Sequence, residues 1–216
     1  MASPSNIAGR IESLLKARYR QIPRDENEKI LDALLKLFFE FQEKNTTCQE
    51  ILQRAADVIH RVLPFQEIAL GIRNPKDGLF RYDVILGFTK DAEEHLKSQA
   101  YTMDEMIALD RNPGVRVSKL IELTIAEAPI RKSGDEAQFN RPNLISTPRK
   151  SEEDFAFGDY MDIFIRDMNN DVIGFIEVSG PRDWKMPSAS RMKWLELFAM
   201  IIGSIIECKS DDRTSQ

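Results

Sequence analysis

Apolar positions recur at helical spacing toward both ends of this chain and alternate through its middle. In residues 5–20, Ile7, Ile11, Leu14 and Leu15, with Arg18, share one narrow stripe, and Pro23 closes the segment. From Asn27 to Glu43 the positions Ile30, Leu31, Leu34, Leu35, Phe38 and Phe41 repeat the pattern, widened by Leu37 and Phe39. A face that wide must be buried against something. Thr47 followed at the third position by Glu50 forms a capping box that starts a third helix, with Ile51, Leu52, Ala55, Val58, Ile59 and Val62 on its stripe and Pro64 at its end.

The period then changes. QEIALGI turns Ile68, Leu70 and Ile72 to one side, NPKDG makes a turn, and LFRYDVILG supplies a second strand. Thr89 to Lys97 is expected as a brief helix and YTMDEM as the entry of a strand, while Val117, Leu120, Ile121 and Thr124 align as a further helix before Pro129. In the last third, YMDIFIR and VIGFIEVS flank DMNND, whose Asn and Asp residues tolerate left-handed backbone, so Asp167–Asp171 should close an antiparallel hairpin. After Pro181 and Pro187, Met192, Leu195, Phe198, Ala199, Ile202, Ile205 and Ile206 lie on one face of a long helix running from Ser188 to Cys208. The order of elements specifies an α+β fold.

Composition narrows the class. The 216 residues suit one domain with an extension, divided here as a helical extension over 1–26, a domain over 27–208 and a disordered tail over 209–216. With 42% apolar and 30% charged residues the chain is ordinary soluble protein. No apolar run approaches the roughly 18 residues of a bilayer span, and no signal-peptide block is visible, so a cytoplasmic protein without membrane partners is expected. The net charge of −5 argues against a general affinity for nucleic acid. Cys48 and Cys208 lie far apart without a CxxC pair and are expected to be structural thiols. Between Pro129 and Asp154 charges and prolines outnumber apolar residues, as in a long surface excursion around a ligand or in solvent.

The run from Pro148 to Glu207 resembles the C-terminal half of a GAF domain: a polar stretch over Phe155–Asp159, a strand at Ile163–Arg166, a Gly-containing strand at Val172–Val178, a loop between Pro181 and Pro187, and a helix carrying Leu195, Glu196, Phe198 and Ala199. The capped helix and hairpin over Thr46–Gly87 are similar to the first half of that family. The resemblance implies a central antiparallel sheet of five or six strands, with terminal helices on one face, short helices and loops on the other, and a ligand pocket under those loops. It also implies a sensory or regulatory module rather than an enzyme, with a possible small-molecule ligand, a homodimer formed through the terminal helices and a signalling partner protein. The NKFDE motif of cyclic-nucleotide-binding members is absent, as are a bilin-attaching cysteine and the cysteine set of the free methionine sulfoxide reductases. The cofactor is therefore unknown, and a reductase of that kind or a ligand-free dimerisation scaffold are the alternatives.

Candidate ligand-binding residues are Tyr82, Phe88, Tyr101, Tyr160 and Phe164 as aromatic walls, Asp162 and Glu177 as carboxylates sharing a sheet face, and Arg131 with Phe139 on the excursion. Each has a plainer reading. Strand aromatics are commonly core, the carboxylates, with Asp154 and Asp159, commonly solvated or ion-paired, and the excursion's arginines, including Arg141 and Arg149, alternate with acids as a solvated loop does. No catalytic or metal residue is assigned; His60 and His95, the only histidines, are expected to be ordinary.

Overall fold

A computed structural model of the chain describes residues 11–17, 25–41, 46–107, 114–127, 135–145 and 147–214. Helix α1 is described over 11–17, followed by α2 (Glu26–Phe41) and α3 (Cys48–Val62). The capping box forms as its chemistry requires, with Thr47 Oγ1 accepting from the Glu50 amide at 3.2 Å and Glu50 Oε2 accepting from the Thr47 amide at 2.8 Å. Strands β1 (Phe65–Arg73) and β2 (Phe80–Leu86) follow, then α4 (Lys90–Ser98) and the single-turn α5 (Met103–Ile107). Next come β3 (Val115–Arg116), β4 (Ile121–Thr124), 3-10 turns at Asp135–Gln138 and Pro142–Leu144, β5 (Tyr160–Arg166), β6 (Val172–Pro181) and α6 (Ala189–Thr214).

The six strands form one antiparallel sheet in the order β2-β1-β6-β5-β4-β3. The α2, α3 and α6 helices cover one face. Their stripes, among them Leu34, Leu37, Phe41, Leu52, Ile59, Phe198 and Ile202, meet Ile68, Leu70, Ile163, Ile165, Ile176 and Val178 of the strands in the main core. Gly203 permits close passage of α6 over the sheet, since a Cβ there would lie 2.3 Å from the Arg166 carbonyl oxygen. The start of α6 is tied to α2 by Trp194, whose Nε1 donates to Asn27 Oδ1 at 2.9 Å. The opposite face carries a smaller core of Phe80, Phe164, Val172 and Phe175 under Met103 and Met106.

Three expectations change. The segment 117–124 is not a helix: its LIELT alternation pairs Ile121 with Ile163 and Leu123 with Met161 at the core, and Glu122 and Thr124 are buried on the other face. Tyr101 does not open a strand but makes a lone bridge to Phe80 before the chain turns into α5. Helix α6 also continues through Thr214, into the stretch expected to be a disordered tail. The DMNND turn closes the β5–β6 hairpin as its residues suggest, with Asn170 at φ 67°.

Candidate functional site

The sheet face away from the helices holds a cavity of about 70 Å³, lined by Tyr82, Tyr101, Tyr160, Phe175, Asp162 and Glu177 with Glu105, Met106 and Gln138. Strand register builds it. Asp162 sits directly across from Glu177 on one side and from Glu122 on the other, so β4, β5 and β6 each present a carboxyl in one lateral row. Tyr82 joins them through a β-bulge. Simple alternation would put Tyr82 and Val84 on the same face, but the pairing shifts at Leu70/Gly71, which leaves Asp83 as the extra residue. Val84 then enters the main core while Tyr82 packs with the smaller one. Asp83 stabilises the bulge by accepting the Ile72 amide on Oδ2 at 2.9 Å.

The aromatic wall is cross-braced. Tyr82 meets Phe175 edge to face at 5.1 Å between centroids and Tyr101 at 6.2 Å. Gly71 makes room for the Phe175 ring, whose nearest atom would lie 2.7 Å from a Cβ at that position. The Tyr82 hydroxyl donates to Glu177 Oε2 at 2.8 Å. Burial pushes the Glu177 carboxyl up to about 7. Asp162 is raised well above the carboxylate range by burial first and then by the charges of Glu177 and Glu122. Desolvation raises Glu122 as well, and it raises the Tyr82 and Tyr160 hydroxyls. Glu122 is 7% exposed, and its Oε2 has no hydrogen-bond partner. The Arg116 guanidinium stands 4.0 Å from that oxygen, with its own side chain 55% exposed. Among the described residues no group of three or more His, Cys, Asp and Glu side chains is arranged to hold a metal ion.

Beside this cavity lies a second depression of about 250 Å³, to which the excursion contributes Phe139, Asn140 and Arg141, and several of its described residues are anchored. Asn140 donates to Glu67 Oε1 at 2.6 Å and to the Gly87 carbonyl at 2.9 Å. Asp159, 1% exposed, accepts from the amides of Ala126 and Ala156 at 2.8 Å each and from Arg149 Nη1 and Nη2 at 2.9 and 2.8 Å. Arg149 also grips Glu127, whose carboxyl is lowered by that hydrogen bond. Phe157 packs on Trp184 at 4.3 Å between centroids, and the Arg141 guanidinium lies over the Phe157 ring at 5.7 Å. A broader groove between α2 and α3 is lined mainly by surface Lys, Arg, Asp and Glu and brings no such constellation together.

No protein-family model matches the sequence, and no curated protein matches it either. Solved structures do. The GAF domain of a Coxiella burnetii phosphoenolpyruvate-protein phosphotransferase superposes with a TM-score of 0.54 at 15% identity, over 86% of this chain and 97% of that one. The chain has the GAF-domain fold. The GAF domain of a protein classed as a sensor histidine kinase of Pseudomonas syringae pv. tomato aligns at TM-score 0.53 and 9% identity, over 86% of this chain and 90% of its own. A methyl-accepting chemotaxis protein domain aligns at TM-score 0.53 and 13% identity, over 83% and 98%.

Within this GAF fold Tyr82, Tyr101, Tyr160, Asp162 and Glu177 come together around the small cavity. Phe139 packs on Tyr160 at 6.5 Å and lines the neighbouring depression. Phe164 is buried in the smaller core and lines neither space, and Phe88 lines neither. Arg131 lies outside the described residues. The other carboxylates are ion-paired, Asp154 with Lys185 and Asp159 with Arg149. Cys48 packs against the main core on the helical side of the sheet.

Sequence reasoning missed Phe175, Glu122 and the Arg149–Asp159 pair. Phe175 was accessible from the GFIEVS alternation, which puts it on the face of Glu177. Glu122 was hidden by the helical assignment of its segment. The Arg149 partnership leaves no local trace in sequence.

Proposed function

We propose that this protein is a cytoplasmic sensory or regulatory module, not an enzyme. It binds a small molecule in the tyrosine-lined cavity and signals through its terminal helices. One observation carries the reading. Strands β5 and β6 present Asp162 and Glu177 to the cavity on one face and Ile163, Ile165 and Ile176 to the helices on the other. A ligand that moves these strands therefore moves the seat of α6, provided it binds the two positions with different affinity. The occurrence of the same fold in a methyl-accepting chemotaxis protein supports the reading.

The output surface is the outer face of α2. Leu31, Leu35, Phe38 and Phe39 are 46%, 39%, 37% and 60% exposed, at spacings that line up along one side of the helix. A second copy meeting this stripe through its own gives the commonest oligomer symmetry, and a signalling partner would read the resulting bundle. The test is hydrogen exchange on α2 and α6, with and without compounds that raise the melting temperature in a metabolite screen. Protection that changes in α6 on binding supports the module. Stabilising ligands that leave α2 and α6 unchanged overturn the signalling route.

A further inference from the structure

The cavity combines features that select one chemical class. Tyr82, Tyr101, Tyr160 and Phe175 wall it with π faces and edges, and Asp162 and Glu177 enter it from adjacent strands. Asp162 makes no hydrogen bond to a described residue, and Glu177 receives one, from Tyr82. Glu122, across from Asp162 in the same row and more than nine-tenths buried, has an oxygen with no hydrogen-bond partner. Among the described residues no Lys, Arg or His forms an ion pair with Asp162 or Glu177, and Arg116 approaches only the outer member of the row. Among the described residues the site thus gathers acceptors and aromatic surface, with no cation paired to Asp162 or Glu177.

From this juxtaposition we infer that the cavity binds a small primary ammonium group, held by Asp162 and Glu177 and enclosed by the tyrosine cage. This rests on the reading of the cavity as the sensing site. An ammonium has three N–H donors, which match two carboxylates and a tyrosine hydroxyl. Charge-assisted hydrogen bonds and cation–π contact are strongest where water is excluded. A volume of about 70 Å³ is about twice the roughly 30 Å³ share of a water molecule in the liquid. It admits methylammonium, or the amino end of a longer amine, whereas a quaternary ammonium has no N–H to give to the carboxylates and the tyrosine hydroxyl.

Binding is linked to protons. An entering cation favours the ionised carboxylates, so a proton carried by the Asp162–Glu177 pair is released. Among the described residues the titratable groups around that pair are Tyr82 on β2, Glu67 on β1, Glu122 on β4, Tyr160 on β5 and Tyr101 before α5, with Glu105 also lining the cavity. Affinity should rise with pH through about 7, where Glu177 gives up its proton.

The experiment is thermal shift and titration calorimetry on the full chain. Methylammonium and ethanolammonium chlorides are the probes, with tetramethylammonium chloride, sodium chloride, sodium acetate and ethylene glycol as controls. Saturable stabilisation by the two primary ammonium ions alone, with proton release in two buffers of different ionisation enthalpy, supports the inference. So does a loss of at least tenfold in affinity for Asp162→Asn and Glu177→Gln, provided their melting temperatures are not lowered. Equal or better binding of tetramethylammonium, acetate or ethylene glycol overturns it while leaving a sensing cavity. Silence from every probe overturns it too, and if a wider metabolite screen is also silent the sensory reading fails with it.

Discussion

The half-buried carboxyl pair should make the ligand-free protein less stable as pH rises through neutrality, and Glu177→Gln should remove much of that loss. The folded state holds the Glu177 carboxyl at about 7, against an ordinary value of 4.5. Between those values the folded chain keeps a proton that the unfolded chain has released, so stability is fully present below about pH 4.5 and falls as pH climbs through 7. At about 1.36 kcal/mol per pH unit this single group accounts for roughly 3 kcal/mol. Asp162 is raised for the same reason and adds to the loss in the same direction. Asp154, Asp183 and Glu127 are held low by Lys or Arg partners, so what they contribute is lost only on the acid side, below the window from pH 5 to 8. Urea unfolding at pH 5 and pH 8 measures the effect. For a chain of this size, 3 kcal/mol corresponds to a melting shift of roughly 6–12 °C. Gln at 177 can still accept the Tyr82 hydroxyl, so at pH 5 it should be near neutral, and at pH 8 it should exceed the parent by about 2–3 kcal/mol. Equal stability of the parent at both pH values, or the same slope in parent and variant, would refute the carboxyl-pair account.

Replacing Arg149 with Met should cost about 3 kcal/mol by urea unfolding, because Asp159 stays buried with its two amide donors but without its cation; a loss under 1 kcal/mol would show that the amides alone suffice. The double variant Leu35→Glu, Phe38→Glu should scatter light as a single chain where the parent scatters as two, with unfolding free energy changed by less than about 1 kcal/mol. A parent that is monomeric at every concentration sinks the dimer proposal. Gly203→Ala should destabilise by about 1–3 kcal/mol as its Cβ drives α6 off the Arg166 carbonyl, and a neutral result would show that the helix does not pass that close. Tyr82→Phe leaves the Glu177 carboxyl without its donor and should cost about 1–3 kcal/mol at neutral pH, read from the urea midpoint.

Much of the architecture was legible because it rests on short-range chemistry. The Thr47–Glu50 cap, the Asn170 turn and the stripes of α2, α3 and α6 each involve residues within a few positions of one another. The segment 117–124 was misread because its apolar residues satisfy a helical and a strand period at once over so short a run, and the β5 edge beside it decided the outcome. Of the candidate site residues on strands, Tyr82, Tyr160, Asp162 and Glu177 converged, and alternation along YMDIFIR and VIGFIEVS already put Asp162 and Glu177 among those facing away from the main core. Phe88 and Phe164 did not; Phe164 shares the face of Asp162 on β5 but is packed into the smaller core with Phe80, Val172 and Phe175, and periodicity along a strand does not say where on a face space is left.

What the sequence by itself determined is the set of elements and the burial of one face of each, since local backbone preference and hydrophobic periodicity are properties of neighbours along the chain. Only the tertiary structure decided the chemistry of the cavity. Cross-strand register placed Glu122, Asp162 and Glu177 in one row, and a one-residue bulge at Asp83 turned Tyr82 toward them instead of into the main core. A shift of one residue in pairing inverts every side chain beyond it. The site therefore depends on pairings between segments up to 95 positions apart, the separation of Tyr82 from Glu177, and no local pattern in the chain encodes that distance.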